Sequence, residues 1–270
     1  MPRDLGDVLH YFLPEPESAE DEVRVAAPFE GDRTEFDADL PPALPLLALP
    51  VGDRDVVRAA LAWNLAVEIA RLGGRVSLVT RLSADTPLIW PESGQGPLGT
   101  EVVHTPAQDM VALHCAALDV AVARAAEARE GGVVLLCVPP TWLHPPGPQN
   151  SLLRWFLLFS TADRRDLMET YALAKTVLSG DRDTCVGVTI HGARRIADAE
   201  QAFDRLAGVA SRHLHKTPVS YGLLVDDLHV YRAIVARRPI GLEHPQSPAA
   251  RALRDVAQLV LEDARKSPIG

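Results

Sequence analysis

Cysteine is scarce in this 270-residue chain: Cys115, Cys137 and Cys185 stand far apart, with no C-x-x-C pair. That spacing excludes a disulfide framework and a cysteine-based zinc or redox site, and it fits a reducing, cytoplasmic setting. Cys137 and Cys185 fall in apolar runs and read as small core residues. The histidines show no metal-ligand spacing; His213 and His215, two apart, fall on different faces of a helix. No apolar run reaches the ~18 residues that a membrane span needs. The opening MPRDLGDVLHYFLPEPE lacks the basic start and long apolar core of a secretion leader. The closing EDARKSPIG lacks a basic amphipathic helix, so no membrane contact is expected. The chain is also short of cations: its net charge is −9. Residues 14–39, with ten acidic side chains and two arginines, hold −8 of it. The remainder is close to neutral, so no basic surface dominates and nothing points to nucleic acid as the main partner. The pairs Arg164-Arg165, Arg194-Arg195 and Arg237-Arg238 read as solvated loop or helix ends.

What is present divides into three parts. In RDLGDVLHYFLP, Leu5, Val8, Leu9, Phe12 and Leu13 are spaced i, i+3, i+4, i+7, i+8, one stripe of an α-helix over residues 1–13. Asp4 suits the N-cap and Pro14 the stop. So short a helix does not stand alone in water, so the stripe predicts a docking peptide for a protein partner, its own domain or another. Residues 14–40, acidic and proline-bearing, predict a disordered tether with a reach of roughly 30 Å. From 41 to 266, strand-like runs at 44–50, 75–80, 133–138, 154–160, 185–190 and 218–225 alternate with amphipathic stretches at 56–72, 108–129, 165–178, 197–213, 230–236 and 248–265. Several runs are apolar on both faces. The expected fold is therefore a single α/β domain, a doubly wound, mostly parallel sheet with helices on both faces.

The stretches NLAVEIARLGGRVSLV, TYALAKTVL, AEQAFDRLAGVASRHL and YGLLVDDLHVYRAIVARRPIGLEHPQSPAARALRDVA resemble the MinD/ParA-type P-loop ATPases. The resemblance is greatest to the flagellar-number regulators called FlhG. It runs from about Leu44 to Leu261 and implies the P-loop NTPase fold. It also implies a nucleotide loop where this chain reads GDRDVVRAA, Gly52 to Ala60. Position by position the chemistry departs from that loop. Arg54, Asp55 and Val57 stand where glycines would let backbone amides wrap phosphate. Arg58 replaces the phosphate lysine, and Ala59 replaces the hydroxyl that would hold Mg²⁺. Asp53 replaces the lysine that the family uses to bridge a dimer. The second strand ends Thr80-Arg81-Leu82 where the family has its water-orienting acid, and the third ends at Cys137 where it has a metal-linked aspartate. His191 matches the adenine-contacting asparagine.

Gly52, Asp53, Arg54, Asp55, Arg58, Ala59, Thr80, Leu82, Cys137 and His191 thus mark a degenerate pocket, with no catalytic residue, metal or cofactor expected. The resulting expectation is a pseudo-ATPase that acts as a protein-interaction scaffold or regulator. By resemblance it serves the placement of polar machinery such as flagella, pili or division proteins. The proline-rich loop PPTWLHPPGPQNS stiffens the family's switch region. Without the bridging lysine the chain is a monomer or a constitutive dimer. A divergent ATPase with a rebuilt site and a DNA-associated ParA-like factor stay open as alternatives.

Overall fold

A computed structural model describes residues 42–84, 86, 90–144, 152–180 and 184–266. The stripe Leu5, Val8, Leu9, Phe12 and Leu13, the acidic segment and Pro145, Pro146 and Pro148 lie outside the described residues.

Strands β1 (Leu46–Pro50), β2 (Arg75–Arg81), β3 (Gly94–Gln95), β4 (Glu101–Thr105), β5 (Gly132–Val138), β6 (Trp155–Thr161), β7 (Cys185–Ala193) and β8 (Val219–Val225) form one sheet. Their order is β3-β4-β2-β5-β1-β6-β7-β8. Every pairing is parallel except the short β3–β4 hairpin. The central strand β5, GVVLLCV, is buried at every position, which is why it reads as a continuous apolar run rather than an alternation. Gly132 opens it because β2 passes so close that an added Cβ would overlap the Arg75 carbonyl oxygen.

The helices are α1 (Val56–Arg71), α2 (Met110–Ala125), α3 (Pro140–Leu143), α4 (Arg164–Gly180), α5 (Ile196–Leu214), α6 (Leu228–Ala236), α7 (Ile240–Glu243) and α8 (Pro248–Lys266). Helices α1 and α8 pack on one face of the sheet, over Leu47, Leu49, Val76, Leu78, Leu135 and Leu157. Helices α2, α4 and α5 cover the other. In α8 the buried side chains Leu253, Val256, Ala257, Val260, Leu261 and Ala264 recur at helical spacing and form the stripe that meets α1 and β8. Aspartates cap α1, α2 and α6: Asp55, Asp109 and Asp227 each accept a backbone N–H from the first turn.

Sheet and helices thus match the expected doubly wound α/β arrangement. Two strands escaped the sequence. β3 is two exposed residues, and β4 is five residues at the margin of the sheet, with no long apolar run to announce it. Cys185, expected in the core, is exposed at the start of β7, where the strand has not yet passed under its helices. Cys137 is buried as expected. The strand order reverses around β1, whose neighbours β5 and β6 lead in opposite directions along the sheet. In such sheets the crevice outside the carboxyl ends at that point is where ligands bind. The β1–α1 loop lies there.

Candidate functional site

The loop from Val51 to Asp55 is held by backbone hydrogen bonds, one to β5 and two within itself. Val51 N–H donates to the Val138 carbonyl at 2.9 Å, Asp55 N–H to Gly52 O at 3.0 Å, and Val56 N–H to Arg54 O at 3.1 Å. The Asp55 carboxylate then takes the Arg58 N–H at 3.0 Å as N-cap. The positive end of α1, the natural place for an anion, therefore carries a carboxylate that the chain itself supplies. Gly52 is not needed for close approach: a Cβ there would meet only Asp55 Cβ, at an ordinary 3.7 Å.

Arg58 is the centre of the site. Its Nε donates to the Phe159 carbonyl at 2.9 Å, its Nη1 to Asp55 Oδ2 at 2.8 Å, and its Nη2 to Asp166 Oδ1. The second oxygen of Asp166 accepts the Thr161 N–H at 2.6 Å. The three side chains keep 24, 25 and 17% of their surface for Arg58, Asp55 and Asp166. All three guanidinium nitrogens are thus engaged by acceptors from α1's cap, β6 and α4. Two carboxylates face one cation, so the cluster has net negative character and repels a further anion.

His191 lies next to Thr161 across the β6–β7 pairing. Burial holds its imidazole below the usual histidine range, and the Arg58 charge adds to that. Its Nε2 is buried with no partner among the described residues. Ala59 is fully buried and offers no ligand atom; Thr80 is buried in β2. The thiol of Cys137 is pushed far up by burial alone, which makes it an inert core group.

A second ion pair spans the rest of the crevice. Arg81 donates through Nε and Nη2 to the two oxygens of Asp53, at 3.1 and 2.7 Å. Its guanidinium carbon lies 5.5 Å from the ring centre of Trp142. One planar side chain therefore ties the β1–α1 loop, the end of β2 and α3 together, by a bidentate carboxylate pair on one side and a cation–π contact on the other. Leu82 follows it with half its surface exposed and its N–H on Thr105 O at 2.7 Å.

Of the expected pocket positions, the structure brings Asp55, Arg58 and His191 together, and Asp53 with Arg81; Arg54 points to the surface. Asp166, Phe159 and Trp142 as partners were beyond the sequence, because Asp166 is 108 positions from Arg58. Among the described residues no group of three or more His, Cys, Asp or Glu could hold a metal ion. No described helix is long and apolar enough to cross a membrane.

No protein-family model and no curated protein matches the chain. Solved structures do. The MinD cell division protein of Aquifex aeolicus superposes with a TM-score of 0.59 at 12% identity, over 84% of this chain and 98% of that one. The MinC:MinD cell division complex of the same organism gives 0.57 at 12%, over 84% and 97%. A ParA family ATPase of Chlorobium tepidum gives 0.54 at 11%, over 80% and 99%. At such identities the likeness is one of fold.

Proposed function

Proceeding from a fold shared with MinD and ParA ATPases, we propose that this chain is a pseudo-ATPase, a nucleotide-independent protein-interaction scaffold or regulator. The observation that carries this reading is the Arg58 clamp. Where an ATPase of this fold keeps an open cradle of amides and a compact ammonium, this chain has a guanidinium engaged by Asp55, Asp166 and Phe159 O. The residues do not fit Mg²⁺–ATP. Asp55 occupies the helix N-terminus, Ala59 has no oxygen for the metal, and Thr80-Arg81-Leu82 offers no acid to orient water. Phosphoryl transfer is positioning and electrostatics, so these losses together remove it rather than slow it.

The same features suit a fixed surface. Asp53, Arg81 and Trp142 hold the β1–α1 loop, the end of β2 and α3 to one another. The partner is a protein, engaged by the Leu5–Leu13 stripe and by the domain surface; a neighbouring structure of this fold was itself solved as a complex, with MinC. The setting is the cytoplasm, and the process, by likeness to FlhG, is the placement of polar machinery.

Titration calorimetry and thermal melting with Mg²⁺–ATP and Mg²⁺–ADP test the reading. A ligand at a hundred times its Kd adds about 2.7 kcal/mol of stability. For a domain of this size that raises Tm by roughly 5–10 °C. No binding heat and superimposable melts are expected at millimolar nucleotide. A saturable heat with a matching rise in Tm, or release of phosphate, refutes it.

A further inference from the structure

Helix α2 is apolar on both sides. Met110, Leu113, Ala117 and Ala121 are buried on its inner side, which faces the sheet. On the outer side Val111, Leu118 and Val122 keep 53, 38 and 39% of their surface exposed, and Cys115 between them is exposed too. At i, i+4, i+7 and i+11 the four form one row along three turns. The charged residues of α2 are Asp119 and Arg124, and Arg124 is drawn away to Glu101 and Glu127. Helix α5, on the same side of the sheet, instead turns Glu200, Asp204 and Arg205 to solvent. A helix without a polar face is one that packs on two sides. Nothing among the described residues covers the outer side of α2.

Where the chain enters the domain says what covers it. Leu44 N–H donates to Ala121 O at 3.2 Å, so residues before Leu44 arrive beside the last turns of α2. Residues 14–41 join that point to Leu5, Val8, Leu9, Phe12 and Leu13, an apolar helical stripe that needs a surface to form on. A chain of that length spans roughly 30 Å, more than the ~24 Å of a sixteen-residue helix, so the whole row lies within its reach. The row exposes on the order of 300 Å², too little to hold two separate molecules together. A segment of the same chain is spared most of the entropy of association and is present at an effective concentration of about 1 mM. An intrinsic Kd of about 0.1 mM then keeps the face covered about nine-tenths of the time.

We infer that the outer face of α2 is the seat of the chain's own Leu5–Leu13 helix, which lies over Val111, Cys115, Leu118 and Val122. This rests on the docking role given to that stripe in the function proposed above, and it adds the regulation of that role. A protein partner has to take the stripe from α2, so partner binding and exposure of α2 are coupled.

Cys115 stands in the row and reports on it. Full-length protein is treated with iodoacetamide, without nucleotide, and alkylation of the peptide carrying Cys115 is followed by mass spectrometry. Phe12→Asp should speed that alkylation about tenfold and leave Cys185, outside the row, unchanged. In the reverse direction, Leu118→Asp should speed hydrogen exchange of the amides of residues 5–13 about tenfold, with an unaltered melting curve because Leu118 faces outward. The wild-type rates should be the same from about 5 to about 200 µM protein, as an intramolecular contact requires. Equal Cys115 reactivity in wild type and Phe12→Asp overturns the inference, as does exchange at residues 5–13 that ignores Leu118→Asp. Protection that grows with protein concentration also overturns it and gives the face to a second copy. These rates are read without nucleotide, so their outcome and that of the titrations above are separable.

Discussion

The Arg58 clamp can be weighed by a double-mutant cycle with Asp166. Removing Asp166 breaks its bond to Arg58 and takes the acceptor from Thr161 N–H. Hydrogen bonds to charged groups contribute about 1.5–3 kcal/mol when buried, and exposed ion pairs about 0.2–1. With roughly a fifth of each side chain still open, Asp166→Ala should cost about 2 kcal/mol. Arg58→Ala should cost more, about 3 kcal/mol, because it leaves Asp55 and Asp166 facing each other without a cation between them. The double variant removes that conflict. Its cost should fall short of the sum, giving a coupling of about 1.5 kcal/mol. Urea unfolding followed by circular dichroism at neutral pH measures all four corners of the cycle. Repeating it at high salt distinguishes a sheltered cluster from a surface pair, since screening weakens only the latter. A coupling below about 0.5 kcal/mol, or one that disappears in salt, would refute the claim that Arg58 is held as an internal ligand.

Two further expectations concern stability. The Arg124 guanidinium, at 2.5 and 2.9 Å, holds the Glu101 carboxyl below its usual range, with Ser77 adding a hydrogen bond at 2.8 Å. A depressed carboxylate stabilises the fold above its unfolded pKa and loses that contribution as pH falls through the folded one. Glu101→Gln should therefore be about 1–2 kcal/mol less stable than wild type at neutral pH, and the gap should close below about pH 4 in denaturant titrations. Gly241 lies against the buried carboxylate of Glu68: an added Cβ would overlap Glu68 Oε1 and sit 2.8 Å from its Cδ. Glu68 is itself held by Arg254 at 3.2 Å and cannot retreat. Gly241→Ala should cost about 1–3 kcal/mol in the same unfolding assay, and a neutral result would mean that α7 shifts freely.

How far the sequence reached depended on the range of the interaction concerned. Every long strand and helix announced itself, because burial on both faces of β5 or one face of α8 imposes a pattern on neighbouring residues. The Asp55 cap is equally local, its partner three positions away, although the sequence by itself shows Asp55 only as a departure from a phosphate loop. β4 did not announce itself, since a five-residue strand at the margin needs little more than pairing with β2. Arg58 was recognisable as a departure from the phosphate lysine, but that departure does not name its partners. Asp55 pairs with it, whereas Asp53 turns the other way to Arg81.

The order of residues alone determined the layered architecture and the absence of a glycine-wrapped phosphate loop, because both follow from side-chain type and local period. Folding decided what surrounds the β1–α1 loop. The β6–α4 turn brings Asp166 to Arg58, and α3 brings Trp142 to Arg81. It also decided which apolar residues face outward, Leu228, Tyr231 and Val235 among them. The reason is physical. Helical and strand periodicity is a short-range property of the chain, whereas ion pairing and exposure depend on which distant segments the sheet order makes neighbours.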